Sequence, residues 1–223
     1  MCYFKKATAM LLALIMLLSV VLCANAATSP TTAGSSDDNH TVFGNTDLYI
    51  APTGEQIAYD VAGSDAICTA VSANAPKSTA LITVAKAADG TIRPVEQLGN
   101  GKTGIGNVEK GKNVTGVAVV TTAPTLIVAT KALSKTYIQN VALDASKILF
   151  QKNVCKGTKV KKVTFNFPNM KKASQVTVRK NAFKGAKRVT IKVSKQMSKN
   201  EFNKLKKKIK KKNKGVKLKF VRN

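Results

Sequence analysis

Val178-Arg179-Lys180-Asn181-Ala182-Phe183-Lys184-Gly185-Ala186-Lys187-Arg188-Val189-Thr190-Ile191-Lys192-Val193 is the stretch that decides the fold. An apolar residue opens it, and a small-then-large apolar pair follows four and five positions later. A Lys-Gly turn comes next, and a strictly alternating run closes it. The same pattern occurs twice upstream. Phe150-Gln151-Lys152-Asn153-Val154-Cys155 leads, through its own Lys-Gly turn, to Val163-Thr164-Phe165. Val128-Ala129-Thr130-Lys131-Ala132-Leu133 leads to Val141-Ala142-Leu143. Aligned on these strands, the third copy ends in Val189-Thr190-Ile191. One such unit cannot bury its apolar side alone, but stacked copies can, which predicts a solenoid.

The chain beyond Val193 reads as the cap of that stack. Ser198-Lys199-Asn200-Glu201 has the form of a capping box, with Ser198 at the N-cap and Glu201 three residues into the helix. Phe202, Leu205 and Ile209 then recur at helical spacing on one face. Lys204, Lys206, Lys207, Lys208, Lys210, Lys211 and Lys212 cover the rest, and Gly215 suits the stop. Val216-Lys217-Leu218-Lys219-Phe220 alternates strictly and predicts a half-buried closing strand.

The string Asn181-Ala182-Phe183-Lys184-Gly185, with the Lys-rich helix and short strand after it, resembles the last repeat and cap of BspA-like leucine-rich repeat proteins. The likeness is strongest from Val176 onward, fair from Leu126 and faint from Leu81 to Thr125. Cys155 and Leu133 stand where the family pattern has Phe. The resemblance implies a secreted or surface-exposed bacterial protein that acts as an adhesion or ligand-binding surface, with no shared catalytic residues to carry over.

Upstream, Leu81-Ile82-Thr83-Val84 and Thr91-Ile92-Arg93-Pro94-Val95 flank Asp89-Gly90, a two-residue type I′ turn signal, so a hairpin is expected there. It also looks like the lead-in strand pair of the same family. Six glycines between Gly99 and Gly116 predict irregular chain. Residues 27–41 are polar and read as a flexible leader. Lys5 and Lys6, the apolar run Ala9 to Ala24 and the small-x-small Ala24-Asn25-Ala26 read as a cleavable export signal over residues 1–26. That run is shorter than the ~20 residues of a membrane-spanning helix. A lipid anchor at Cys23 is disfavoured by Leu22, which is large where a small residue is needed. The expected organisation is signal 1–26, leader 27–41, a β-rich region of degenerate repeats 42–124, and repeats with their cap 125–223. The fold class is β-rich α+β: a short leucine-rich-repeat solenoid with a hairpin lead-in, an amphipathic helix and a closing strand.

Charge divides the chain. Residues 27–124 carry 6 basic and 9 acidic side chains, whereas residues 125–223 carry 29 basic and 2 acidic ones, Asp144 and Glu201. Two readings follow: a polyanion partner for the second half, or lysines that solubilise the outside of a β-rich array. The chain has 33 Lys against 4 Arg and no Trp. Base readout favours Arg forks and single-strand binding favours exposed aromatics, so sequence-specific nucleic acid is not an expected partner. Lysine is a hydrated point charge that fits loose contact with repeating phosphate or sulfate, as in teichoic acid, glycosaminoglycan or extracellular nucleic acid. The helix lysines 204, 206, 207, 208, 210, 211 and 212 are the candidate polyanion-binding residues.

Catalysis finds little support. His40, the one histidine, falls in the leader, and Asp37-Asp38 falls there too. Glu201 is accounted for by capping. Two mature cysteines, Cys68 and Cys155, with one His offer no zinc-ligand spacing, and Gly104-Ile105-Gly106 lacks the rest of a dinucleotide loop. A Cys68–Cys155 disulfide, which export would permit and which would add about 4 kcal/mol, stands against two cysteines serving as small buried hydrophobes. The reading is a non-enzymatic extracellular interaction or adhesion module with no cofactor or metal and no integral membrane anchor. Its partner is a host or cell-envelope protein or glycan, or an anionic wall polymer that retains it non-covalently. The alternative is an electrostatic polyanion-binding protein.

Overall fold

The computed structural model describes residues 39–73, 78–106, 114–165 and 170–222. The expected export signal and residues 27–38 of the leader lie outside the described residues. The protein is β-rich α+β, with parallel and mixed sheets and, among the described residues, one α-helix near the C-terminus.

An antiparallel meander comes first: β1 (His40–Phe43), β2 (Thr46–Ile50), β3 (Glu55–Ala62) and β4 (Asp65–Ala73). β1 begins at His40, so the last two residues assigned to the leader are already in a strand. β5 (Ser78–Ile82) then opens a second sheet, and a small hairpin, β6 (Val84–Lys86) with β7 (Ile92–Pro94), stands apart.

From β8 (Gln97–Leu98) the chain alternates between two parallel ladders. β8, β10 (Leu126–Val128), β12 (Ile148–Phe150) and β14 (Val176–Val178) extend the first sheet from β4. β9 (Val114–Val120), β11 (Asn140–Asp144), β13 (Lys162–Phe165) and β15 (Arg188–Val193) form the second, between β5 at one edge and β16 (Lys217–Arg222) at the other. The helix α1 (Lys199–Lys212) lies between β15 and β16 in sequence.

The repeat residues all point into the space between the ladders. Val128, Phe150 and Val178 lie side by side in register. Ala132-Leu133, Val154-Cys155 and Ala182-Phe183 are fully buried beneath them. Phe150 packs edge-on to Phe165, with centroids 5.5 Å apart, and lies 5.6 Å from Phe183. Each turn bends at a left-handed residue, Lys131, Asn153 or Asn181, and again at Lys135, Gly157 or Gly185. Asparagine and glycine suit that conformation; lysine adopts it at a cost.

Several expectations are corrected by the structure. Val163 of the second copy pairs with Ile191 of the third and not with Val189, two residues beyond the position that the sequence pattern predicts. The true spacing is constant: Val128 to Val141, Phe150 to Val163 and Val178 to Ile191 are each thirteen residues apart. A slip of two preserves the side-chain face, which is why the alternating pattern did not expose it. At Asp89-Gly90 a hairpin does form, but only Gly90 has positive φ, and Ala87 pairs with Thr91. The loop therefore holds three residues, with glycine at the left-handed position, and is not a two-residue type I′ turn. Leu81 and Ile82 belong to β5 in the other sheet. Gly116 lies within β9 with the Thr79 side chain over it, so the glycine-rich stretch ends in regular strand.

The cysteines are both buried and unbridged. Cys68 lies on β4 and Cys155 follows β12, three strands away, about 14 Å at the usual strand spacing. A disulfide cannot reach that far. Burial pushes the Cys155 thiol up to about 12 and raises that of Cys68 as well, so both remain neutral packing groups.

Candidate polyanion-binding surfaces

The helix is held by three devices. Ser198 Oγ accepts the Glu201 N–H at 3.3 Å, which is the first half of the expected box. The second half is absent. Glu201 accepts instead from the Ala173 N–H at 2.8 Å and from Lys204 Nζ at 2.7 Å. Ala173 is buried at the start of the 3₁₀ turn Ala173–Gln175, where its donor would otherwise lack a partner, so the carboxylate ties the helix to the turn before β14. Leu205 and Ile209 are buried, and Phe202 meets Phe220 of β16 with centroids 6.5 Å apart.

This seating turns the candidate lysines outward. Lys204, Lys207, Lys208, Lys210, Lys211 and Lys212 are exposed, and Lys206 is partly buried. Lys204 is engaged by Glu201. Lys210, Lys211 and Lys212 occupy the last helical turn, where cations favour the helix dipole. Part of the helix charge therefore already has a structural use.

A second basic cluster was not assembled by reading the sequence. In the second sheet Arg188 lies beside Lys217, and Thr190 lies between Lys162 and Lys219. Thr164 lies beside Lys192. Their neighbours Val163, Val189, Ile191 and Val193 point inward and are buried, so Lys162, Arg188, Lys192, Lys217 and Lys219 share the outer face. Arg188, Lys217 and Lys219 also line an open depression of about 430 Å³. None of the five has a carboxylate partner among the described residues. Partial burial, and then repulsion from Lys192, hold the Lys162 ammonium below the usual lysine range. The sequence signal was available: each cation occupies the polar phase of an alternating run, and the repeat register brings those phases together.

His40 also differs from its expected place. On β1, its Nδ1 lies 2.8 Å from Oδ2 of Asp47, which is fully buried and also accepts the Lys86 N–H at 2.7 Å. The imidazole packs against the Tyr49 ring, tilted by 34° with centroids 4.6 Å apart. The group clamps β1 and β2 to the small hairpin, and its buried carboxylate is satisfied from two sides. Among the described residues no group of three or more His, Cys, Asp or Glu is placed to hold a metal ion. No helix among them is long and apolar enough to cross a membrane.

Comparison of the chain with protein-family models, with curated proteins and with solved structures finds no match in any of the three.

Proposed function

We propose that this chain is a non-enzymatic, exported interaction module built as a short leucine-rich-repeat solenoid of the BspA-like kind. The observation that supports the reading best is the constant thirteen-residue step, in each copy, from an in-register position of the first parallel ladder to an in-register position of the second. A repeat with that regularity lays outward side chains in rows across neighbouring strands, which suits an extended binding surface more than a concave catalytic pocket. In this reading the protein works outside the cell or on its envelope, as an adhesin for a protein or glycan.

A second reading, electrostatic binding to a polyanion, is favoured by the five cations on one sheet face that have no carboxylate partner among the described residues, and by the helix lysines. The two readings separate by salt. An adhesin with a specific partner keeps most of its binding between 50 and 500 mM salt, whereas polyanion binding falls steeply. Fractionating a producing culture into cytoplasm, medium, low-salt wash, high-salt wash and wall tests localisation directly. Recovery in the cytoplasmic fraction alone would overturn export and the adhesin reading with it.

A further inference from the structure

We propose that the outer face of the second sheet, at Lys162, Arg188, Lys192, Lys217 and Lys219, binds a linear polyol-phosphate polymer through its phosphodiester groups. The inference rests on the polyanion reading and assigns its site to the sheet rather than the helix.

Among the described residues these five side chains make no ion pair. The packing of β13, β15 and β16 is carried by the inward residues, while the outward register sets Arg188 directly beside Lys217. Like charges in that relation destabilise a sheet. Lysines on β16 could be explained as protection of an exposed edge. That explanation fails for Lys162 and Lys192, because β13 and β15 are interior strands with hydrogen-bonded neighbours on both sides. The second half of the chain has two acids, and neither forms an ion pair with these cations. Glu201 is committed to Ala173 and Lys204. Asp144 follows Leu143 at the end of β11, one outward row beyond Ala142, whose row leads to Lys192.

The geometry limits the ligand. Neighbouring strands lie about 4.8 Å apart and alternate residues along a strand about 6.7 Å apart, so the cations are separated by roughly 5–8 Å on a patch of about 10 by 13 Å. Three bonds of an extended backbone span about 3.5 Å. A phosphodiester chain with six backbone bonds per repeat therefore places a charge about every 7 Å, within that range. Four of the five cations are lysines, which meet phosphate as point charges without the planar fork of arginine. Thr164 and Thr190 lie among them and supply hydroxyl donors. No aromatic residue occupies an outward position of β13 or β15, so the face offers no platform for bases. A polyol-phosphate backbone uses all that the face provides; a nucleic acid leaves its bases unrecognised.

The test measures binding of the full-length mature chain to poly(glycerol phosphate), to a thymidine oligonucleotide with the same number of phosphates, and to heparin, across a salt series. Two triple variants remove equal charge: Lys162→Gln/Lys192→Gln/Lys219→Gln on the sheet and Lys207→Gln/Lys208→Gln/Lys211→Gln on the helix. The sheet triple should weaken poly(glycerol phosphate) binding at least tenfold at low salt. It should also reduce the log–log salt slope by roughly 2 to 3. The helix triple should change affinity less than threefold. Because Lys162 is partly buried, Arg188→Gln/Lys217→Gln/Lys219→Gln provides a second sheet variant with the same expectation. Equal losses from sheet and helix triples would overturn the site while leaving the polyanion reading standing. Tighter binding of heparin or the oligonucleotide would overturn the ligand class. Absence of salt-sensitive binding to all three polymers would overturn the polyanion reading itself.

Discussion

The backbone N–H of Phe183 donates to Oδ1 of Asn213 at 3.1 Å. In the turns before it, the equivalent donors reach backbone carbonyls of the next copy: Leu133 N–H to Val154 at 3.1 Å and Cys155 N–H to Ala182 at 3.0 Å. The third copy has no successor, and a side-chain amide takes the place of the missing carbonyl. The corner residues follow the same course. Lys131 N–H reaches Asn153 O, Asn153 N–H reaches Asn181 O, and Asn181 N–H reaches Lys212 O at the end of α1. The helix C-terminus and Asn213 together act as the next turn of the stack.

Asn213→Ala should therefore destabilise the protein more than the loss of an ordinary surface amide. Phe183 N–H would be left buried without an acceptor, which costs about 1–3 kcal/mol. Asn213→Asp keeps an acceptor but loses the Nδ2 donor to Ile209 O at 3.1 Å, and it buries a carboxylate among carbonyls. Both variants should unfold at lower denaturant than the parent, with an unchanged m-value. A midpoint equal to the parent's for Asn213→Ala would show that the amide is not the cap.

The second left-handed corner makes a graded prediction. A Cβ on Gly185 would lie 2.7 Å from Gly157 N and 2.9 Å from Cys155 O, both rigid backbone, whereas Gly157 is open around its Cα. Both have positive φ, 98° and 67°. Gly157→Ala should cost about 1 kcal/mol from backbone strain alone. Gly185→Ala should cost at least about 2 kcal/mol, since the two neighbouring turns must also part. Thermal melts of the two single variants check the order, and equal melting temperatures would refute the close approach. Lys135, in the glycine position of the first copy, already bears this strain at φ 51°.

Phe183 is fully buried against Phe150, so Phe183→Ala should cost about 3–5 kcal/mol. Lys207→Gln and Lys208→Gln, on the exposed helix face, should stay within about 0.5 kcal/mol of the parent. Denaturant midpoints for the three variants test whether the repeat interior, rather than the helix surface, carries stability.

Residues 126–222 were the most legible part of the chain, because local pattern and tertiary packing agree there. The apolar pairs, the helix from Lys199 and the alternating strand at Lys217 all recur in the structure with small shifts. What the pattern did not contain was register. Period-two alternation is unchanged by a two-residue slip, so Val189 could stand for Ile191. The sheet-face cations remained hidden for the same reason: Lys162, Lys192 and Lys219 come onto one patch only once strands paired at offsets of twenty-eight and twenty-nine residues are in register. A capping box is local and so predicts a partner for the Glu201 carboxylate at the N-cap, whereas the backbone donor it accepts from, Ala173, lies twenty-eight residues away. In the N-terminal half, the meander β1–β4 gives no repeat signal, and His40 looked like part of a polar leader until Asp47 was placed beside it.

The two acids of the repeat half should pull the pH dependence of stability in opposite directions. Lys204, and next the Ala173 N–H, hold the Glu201 carboxyl below its ordinary range in the folded state. Its contribution is present above the unfolded value and is lost as pH falls through the lowered folded value. Burial raises Asp144, so its charged form is disfavoured in the fold; that penalty is present at neutral pH and disappears on acidification. Glu201→Gln should thus lower the melting temperature at pH 7, and the gap to the parent should close towards pH 3. Asp144→Asn should raise it at pH 7, with a gap that closes over the same range from the other side. Melting curves of the three proteins at intervals from pH 7 to pH 3 decide the matter. A Glu201→Gln deficit that stays constant with pH would mean that its tie to Ala173 and Lys204 does not depend on the carboxylate charge.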